Sequence, residues 1–314
     1  MKLSIVSPVF KAEGIIEELV KRINSVCSEL GYDYEILLVE DCSPDLSWHE
    51  IQRECEKNPK VKGIKLSRNF GQHAAITCGI DNASGEYIIV MDCDLQDDPK
   101  YIKDLVEQAE KGFDIVYTVK EYRNHGKSKN LGSYLFNKVF NWLVSDQQHM
   151  SYNENIGSYS LISRKVANAF LGVGDYRRHY LLVLRFLGFQ SSEIVIQHNQ
   201  RFKGNSSYNL YKLLTHALVG IVYQSNRLLR LTVSVGATIS FLSGLFGIYV
   251  IVQALFFTSA PGWASTIVVV LFMSGLIMLC VGISALYIGS IAEQVRNRPI
   301  FIIDQKINDP IRPH

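Results

Sequence analysis

The octapeptide Asp92-Cys93-Asp94-Leu95-Gln96-Asp97-Asp98-Pro99 follows directly on the apolar run Tyr87-Ile88-Ile89-Val90-Met91. A buried strand that ends in carboxylates spaced two apart, with a carboxamide two residues further on, presents several hard oxygen ligands at one sheet edge. That is the donor set with which a protein holds Mg²⁺ or Mn²⁺ on a diphosphate. The same residues also make a turn, because Asp before Pro is a favourable entry into a helix that starts near Pro99. Three more apolar runs end in polar clusters: Ser7-Pro8-Val9-Phe10, Glu40-Asp41-Cys42-Ser43-Pro44-Asp45 and Ser67-Arg68-Asn69-Phe70-Gly71-Gln72. Asp41 and Ser43 alone read as a capped turn, and Arg68 alone as a surface cation. Carboxylates gathered at neighbouring strand ends repel one another, however, and a bound cation supplies the missing charge.

What must gather them is a sheet. Leu3 to Ser7, Tyr34 to Val39, Val61 to Leu66, Tyr87 to Met91 and Asp114 to Thr118 are apolar, β-branched runs of strand length. Between them Ile15, Ile16, Leu19, Val20 and Ile23 share one helical face, and the segments Asp45 to Lys57, Gln72 to Asn82 and Pro99 to Lys111 follow the same period. The alternation predicts an α/β domain with a mostly parallel sheet and helices on both faces. Ligands of such sheets bind beyond the carboxyl ends of the strands, where the polar clusters fall.

The chain has 314 residues and a formal charge of +2. With a sequence pI near 8.1 it carries no nucleic-acid signature, although a local basic patch can still meet anionic lipid. Cys27, Cys42, Cys55, Cys78, Cys93 and Cys280 form no Cys-x-x-Cys pair and read as free thiols in a reducing compartment. Met1 to Phe10 does not read as a cleavable signal peptide.

The mean hydropathy of +0.08 has a local origin. From Leu231 to Ala292 there is no Asp, Glu, Lys or Arg. That run far exceeds the ~20 residues that cross a bilayer, and Thr258 to Trp263 interrupts it, which predicts transmembrane helices over about 231–257 and about 264–291. Buried helices of a soluble domain keep a polar stripe, and these have none. Arg227 and Arg230 before the first span, with Arg296 and Arg298 after the second, predict that both ends face the cytoplasm. The expected organisation is a cytosolic domain over 1–208, a juxtamembrane amphipathic helix over 209–230, the hairpin over 231–292 and a cytosolic tail over 293–314, in a two-span inner-membrane protein. Gly236, Gly244 and Gly247 would permit close helix contact in a homo-oligomer.

The order of these motifs resembles glycosyltransferase family 2, and within it the polyprenyl-phosphate glycosyltransferases with a transmembrane hairpin, the type of dolichyl-phosphate mannose synthases and bactoprenol glucosyltransferases. The resemblance spans nearly the whole chain and implies a GT-A nucleotide-sugar-binding domain. It gives Pro8, Phe10, Val39 and Asp41 to the nucleoside, with Arg68 and Cys93 beside them on the donor. It gives Asp92, Asp94 and Gln96 to Mg²⁺ or Mn²⁺ on the diphosphate. Arg123, in Lys120-Glu121-Tyr122-Arg123-Asn124-His125-Gly126-Lys127, is similar to the mobile loop that closes over the donor, its alternative being a solvated basic loop. Arg201, in Gln200-Arg201-Phe202-Lys203-Gly204-Asn205-Ser206-Ser207-Tyr208, resembles the basic residue that contacts phosphates, for which a planar guanidinium fork is suited. Asn130 to Val144 and Tyr208 to Arg227 combine aromatic residues and cations as interfacial helices do, with core packing as the competing account for the first. His179 and His198 read as ordinary polar residues.

The departures carry information too. Lys11-Ala12 stands where relatives carry Asn-Glu, Gly157-Ser158-Tyr159-Ser160 where many carry Gly-Asp-Phe-Arg, and Ser207 where a lysine is common. The glutamate replaced at Ala12 resembles a guanine contact, so its loss favours UDP over GDP. The aspartate replaced at Ser158 has a base-like or acceptor-positioning role in relatives, and a lone hydroxyl cannot act as a base near neutral pH. A lipid phosphate has a second pKa of about 6 and is already nucleophilic at pH 7, so positioning can outweigh proton removal. The implied reaction is inverting, metal-dependent transfer from a nucleotide-sugar to a polyprenyl phosphate, with Asp94, Arg123, Arg201 and Ser158 at the chemistry and Glu154 as a substitute base to be tested. The alternatives are a GDP-mannose-dependent mannosyltransferase, a catalytically weak nucleotide-sugar-binding partner protein, and a small transporter, the last lacking any ionisable residue inside the spans.

Overall fold

The computed structural model describes residues 2–120, 156–176, 178–197, 227–256 and 262–308, so Arg123, Glu154, His198, Arg201, Ser207 and both expected interfacial segments up to residue 226 lie outside the described residues. Two compact units divide the chain: residues 1–125, 153–206 and 298–314 form one, and 126–152 with 207–297 the other.

In the first unit β1 (Lys2–Val9), α1 (Ile16–Leu30), β2 (Asp33–Glu40), α2 (Ser47–Lys57), β3 (Val61–Leu66), α3 (Gln72–Asn82) and β4 (Tyr87–Val90) alternate as the periodicity predicts. A 3₁₀ turn (Pro99–Tyr101), α4 (Ile102–Glu110), β5 (Ile115–Lys120), β6 (Ile156–Ser163), α5 (Arg164–Gly172), α6 (Tyr180–Leu187) and β7 (Ser191–Ile196) follow. The residues expected as a cytosolic tail supply one more strand, β8 (Ile303–Ile307).

The eight strands form one sheet in the order β7-β5-β6-β4-β1-β2-β3-β8. β4, β1, β2 and β3 are parallel, β7 is parallel to β5, and β6 and β8 run antiparallel to their neighbours. The sheet is thus mostly parallel. β1 leads through α1 to β2 on one side, whereas α3 carries the chain back across to β4 on the other. The turns after β1 and β4 therefore part and leave a crevice at the carboxyl edge.

Because successive residues of a strand point to opposite faces, each buried strand feeds two cores. Leu3, Ile5, Ile36, Leu38 and Ile89 pack with α1, α2 and α4 on one face, while Val6, Leu37, Val39, Ile88 and Val90 pack with α3 and α5 on the other. Gly79 lets α3 sit directly on β1, since a Cβ there would come within 2.2 Å of Val6 Cγ1. That seating brings the amino end of α3 to the crevice.

At the opposite edge one buried carboxylate sets the strands in register. Glu35 of β2 accepts hydrogen bonds from Ser4 Oγ of β1 (2.5 Å), Ser84 N (2.6 Å) and Ser84 Oγ (2.8 Å), and pairs with Lys62 of β3 at 2.8 Å. Gly85 lets the Ser84 turn approach, a Cβ there meeting Lys2 O and Ser4 N at 2.7 Å each. Burial alone would raise the Glu35 carboxyl, but Lys62, Ser4 and Ser84 override it and hold it down at about 2, from an ordinary 4.5.

In the second unit α7 (Arg227–Phe256) and α8 (Trp263–Val295) are uncharged from Leu231 to Ala292, and many of their described apolar side chains are exposed, Met278 at 72%. Such surfaces belong against lipid or another apolar partner. Among the described residues, one helix is long and apolar enough to cross a membrane, over Phe272–Val295. The expectation of two spans meets one such helix among the described residues; α7 carries no Asp, Glu, Lys or Arg from Leu231 onward.

Because the folded carboxyl of Glu35 lies below its unfolded value, its contribution is present above about pH 4.5 and is lost as pH falls toward 2. Glu35→Gln is expected to destabilise the sheet domain at pH 7 by roughly 3 kcal/mol and to flatten its acid unfolding between those limits. Denaturant melts across pH measure both effects, and an acid limb as steep as that of the parent would contradict the assignment.

Candidate active site

The turns after β1, β2 and β4 each pass through a left-handed residue other than glycine: Lys11 (φ 54°), Cys42 (φ 51°) and Leu95 (φ 58°). Such conformations cost free energy in side-chain-bearing residues and persist where the surroundings enforce them. The enforcement is visible for the first two. Lys11 N donates to Ser43 Oγ (2.8 Å), Ala12 N to Ser47 Oγ (3.0 Å), Glu13 N to Asp45 Oδ2 (3.2 Å) and Gly14 N to Glu50 Oε1 (2.8 Å). Asp45 in turn accepts from the Ser43 and Ser47 hydroxyls, both at 2.6 Å. The loop after β1 is thus sewn onto the turn after β2. Phe10 is left 44% exposed at its edge, whereas Ala12 is buried at 1%.

Asp41 ends β2 with both oxygens engaged: Oδ1 accepts from Phe70 N at 2.7 Å and Oδ2 from Gly71 N at 2.8 Å. Burial raises its carboxyl, against the pull of these amides and of Arg68. Arg68 lies over the Phe70 ring, its Cζ 4.1 Å from the centroid. Asp41 therefore anchors the turn that opens α3, and Arg68 and Phe70 move with it. Beside it Glu40 is buried, accepts from Ser43 N, and is also raised by burial.

Asp92 follows β4 and is likewise held from both sides. Gln72 Nε2, at the start of α3, donates to Oδ1 at 2.7 Å, and Ser158 Oγ on β6 donates to Oδ2 at 3.0 Å. Its carboxyl is pushed up to about 6, first by burial and then by Asp97 and Asp94, with Ser158 and the charge of Lys120 opposing. Asp94 Oδ1 accepts from Gln96 N at 3.1 Å, and Asp98 caps the following turn by accepting from Lys100 N at 3.0 Å. The helix-entry reading of the octapeptide is seen at Asp98 and Pro99, while Asp92 and Asp94 lie on the turn that follows β4.

The other expected site residues are placed as follows. Pro8 and Val39 are buried side by side in register on β1 and β2, and Val39 packs in the core. Cys93 turns its thiol toward the Phe10 amide and the core, where burial pushes it up to about 12. The position contributes a neutral thiol beneath the turn. Two residues that motif reading missed are Gln72 and Lys120. Lys120 closes β5 at the same edge, its stem reaching to 3.4 Å from where a Cβ on Gly157 would lie. The pairing of β5 with β6 shifts register between Tyr117 and Val119, just before it. His73, beside Gln72, packs on His179 with ring centroids 4.0 Å apart, and burial holds it down at about 3. That pair is a neutral packing contact.

Among the described residues no three His, Cys, Asp or Glu side chains form a ready metal cage. What the edge does hold is mutual repulsion among Asp92, Asp94 and Asp97, which a divalent cation would relieve. The donor set fits a hard ion that takes its remaining ligands from a diphosphate and water.

Comparison with known proteins decides the class. Residues 4–171 match the profile of the family described as glycosyl transferase family 2. The chain belongs to that family. This glycosyltransferase is 31% identical over 306 residues to an uncharacterised glycosyltransferase of Synechocystis sp., covering 96% of this chain and 95% of that one. It is 30% identical to the undecaprenyl-phosphate 4-deoxy-4-formamido-L-arabinose transferase of Klebsiella pneumoniae, covering 98% and 94%. It is 31% identical to the prophage-derived bactoprenol glucosyl transferase of Shigella flexneri, covering 96% and 97%. Among solved structures, mannosyl-3-phosphoglycerate synthase from Rubrobacter xylanophilus aligns with a TM-score of 0.48 at 13% identity, covering 72% of this chain and 74% of that one. The α/β fold with its mostly parallel sheet is GT-A-like, in keeping with the family match.

Since Asp41 holds the Phe70 and Gly71 amides, Asp41→Ala is expected to speed their hydrogen exchange by about tenfold, the size of a lost bond to a charged acceptor. Exchange at these two amides equal to that of the parent would remove Asp41 from this role.

Proposed function

We propose that this glycosyltransferase moves a sugar from a nucleotide-sugar, UDP-linked in preference to GDP-linked, onto a polyprenyl phosphate at the cytoplasmic face of a membrane, with inversion at the anomeric carbon. The observation that carries the reading is the seat of Asp92 and Asp94 at the crevice beyond β4, in a chain whose full-length relatives are named for undecaprenyl and bactoprenol carriers. Phe10, exposed at the end of β1, offers a platform for the base. Ala12 supports the choice of UDP: it is buried with its N–H given to Ser47, so the position has nothing to offer a guanine.

Asp94, with Asp92 and Gln96 beside it, would hold Mg²⁺ or Mn²⁺, which when bound supplies charge for the departing nucleoside diphosphate. Lys120 adds a fixed cation at the same edge for phosphate oxygens. Arg123 and Arg201 are assigned to donor closure and acceptor phosphate by the family resemblance. The acceptor phosphate attacks the sugar from the face opposite the leaving group. Ser158 is bound to Asp92, so proton removal is not its task, and a dianionic phosphate needs none.

Chain connectivity supports two crossings. β7 and β8 lie in one sheet, and both α7 and α8 fall between them in the chain. A chain that leaves and rejoins the same sheet crosses a bilayer an even number of times, so a spanning α8 requires a partner, and α7 is the uncharged candidate.

Purified protein incubated with undecaprenyl phosphate, Mg²⁺ or Mn²⁺ and a panel of nucleotide sugars should form a lipid-phosphate sugar from a UDP-sugar. Asp94→Ala should lower that rate by at least about a hundredfold, the scale of losing charge stabilisation at a transition state, while remaining folded. Full turnover of this variant, or product from GDP-mannose alone, would refute the corresponding part. For topology, single cysteines in Gln197→Cys and Arg298→Cys, with exposed native thiols replaced, should both react with an impermeant reagent from the cytoplasmic side only. Labelling from opposite sides would rule out the hairpin.

A further inference from the structure

We infer that Ser158 is a positioning residue that, together with Gln72, sets the Asp92 carboxylate for the donor diphosphate and its cation; the inference rests on the reading of the Asp92 turn as the donor site. It starts from register. The antiparallel pairing of β4 with β6 matches Ile88 with Ile162 and Val90 with Ser160, and continued by two residues it sets Ser158 opposite Asp92. Side chains facing each other in this way have Cβ atoms about 5 Å apart, within reach of a hydroxymethyl group. Ser158 Oγ accordingly donates to Asp92 Oδ2 at 3.0 Å, while Gln72 Nε2 meets Oδ1 from the other side at 2.7 Å.

Both donors are themselves fixed. The carbonyl of Ser158 accepts from Ser160 Oγ at 3.0 Å, and the buried Ser160 hydroxyl lies 2.9 Å from Tyr180 OH. Gln72 opens α3, which Gly79 seats on β1. Asp92 is thus clamped by neutral donors from two elements and keeps its negative charge while losing its rotational freedom. A site prepared in this way need not reorganise when the cation and diphosphate arrive.

The alternatives at position 158 separate the roles. Alanine leaves Asp92 Oδ2 without this donor. Threonine keeps the hydroxyl and suits a strand. Aspartate would place a second carboxylate directly opposite Asp92, an arrangement of like charges that is unfavourable across a strand pair. The serine therefore clamps Asp92 without adding a charge.

The test is calorimetric titration of Mn²⁺ with UDP and with GDP into the parent, Ser158→Ala, Ser158→Thr, Ser158→Asp, Asp92→Asn and the Ser158→Ala/Asp92→Asn pair. Ser158→Ala should bind Mn²⁺ with nucleotide about tenfold more weakly, equivalent to about 1.4 kcal/mol. Ser158→Thr should restore binding and Ser158→Asp should not. In the double variant the loss should be no larger than in Asp92→Asn alone, because Ser158 acts through Asp92. Parental affinity in Ser158→Ala, or losses that add in full, would overturn the inference. If the parent binds neither nucleotide, the proposed function fails instead, and unfolding midpoints of the same variants in EDTA decide about Ser158. Non-additive midpoints support the clamp; additive ones dismiss it.

Discussion

Carboxylates that are taken out of water must find donors, and around the carboxyl edge of this sheet the architecture is arranged to meet that demand. Asp41 and Asp92 follow β2 and β4, the strands that flank β1 in the parallel block, and each is bonded through both oxygens. Asp41 draws on main-chain amides of the turn before α3, and Asp92 on side chains of α3 and β6. One helix end thereby serves two acids. Gly71, with φ 97°, gives the backbone the bend that brings its own N–H and that of Phe70 toward Asp41.

The opposite edge determines whether those donors arrive. Glu35 ties β1, β2, β3 and the turn before β4 through Ser4, Lys62 and Ser84. Arg164 Nε adds a bond to Gly85 O at 2.9 Å and joins the start of α5 to the same turn. A slip of one residue in β4 would send Asp92 to the other face of the sheet and leave Ser158 opposite a different side chain. Chemistry at one edge thus depends on electrostatics at the other. Glu35 is stabilised as an anion by a lysine and two serines, while Asp92 keeps an elevated carboxyl because it is buried, with Asp97 and Asp94 adding to the effect.

Much of this was legible in the residues. The runs that became β1 to β5 are apolar and β-branched, and their helices repeat with a clear period, so the parallel block and its crevice followed. The octapeptide was legible as a helix entry, since Asp98 does cap the turn at Pro99, and in its position, since Asp92 does follow β4 at the sheet edge. What pattern could not give was partnership across strands. β6 reads Ile156-Gly157-Ser158-Tyr159-Ser160, in which small and polar residues obscure the strand, and the pairing of Ser158 with Asp92 exists only once an antiparallel register is known. Gln72 and Lys120 were missed for the same reason, although each closes or opens an element at the active edge, which is a countable signal. Val39 resembles a donor contact by its motif, and its side chain packs in the core under α3, so that role would fall to its main chain.

β8 completes the sheet by pairing with β3, and Asn308 reinforces it by donating to Cys55 O, 253 residues earlier in the chain. Ser67, at the head of the turn that Asp41 anchors, donates its N–H to Ile302 O at 2.9 Å. During synthesis β3 must therefore wait, with a bare edge, until both long helices have been made. An unpaired edge is a site of misassembly, so the nascent domain is exposed to chaperones and to its own copies for most of translation. Closing the sheet at β8 therefore waits until both apolar helices have been made, and only then is the turn that Asp41 anchors secured from this side.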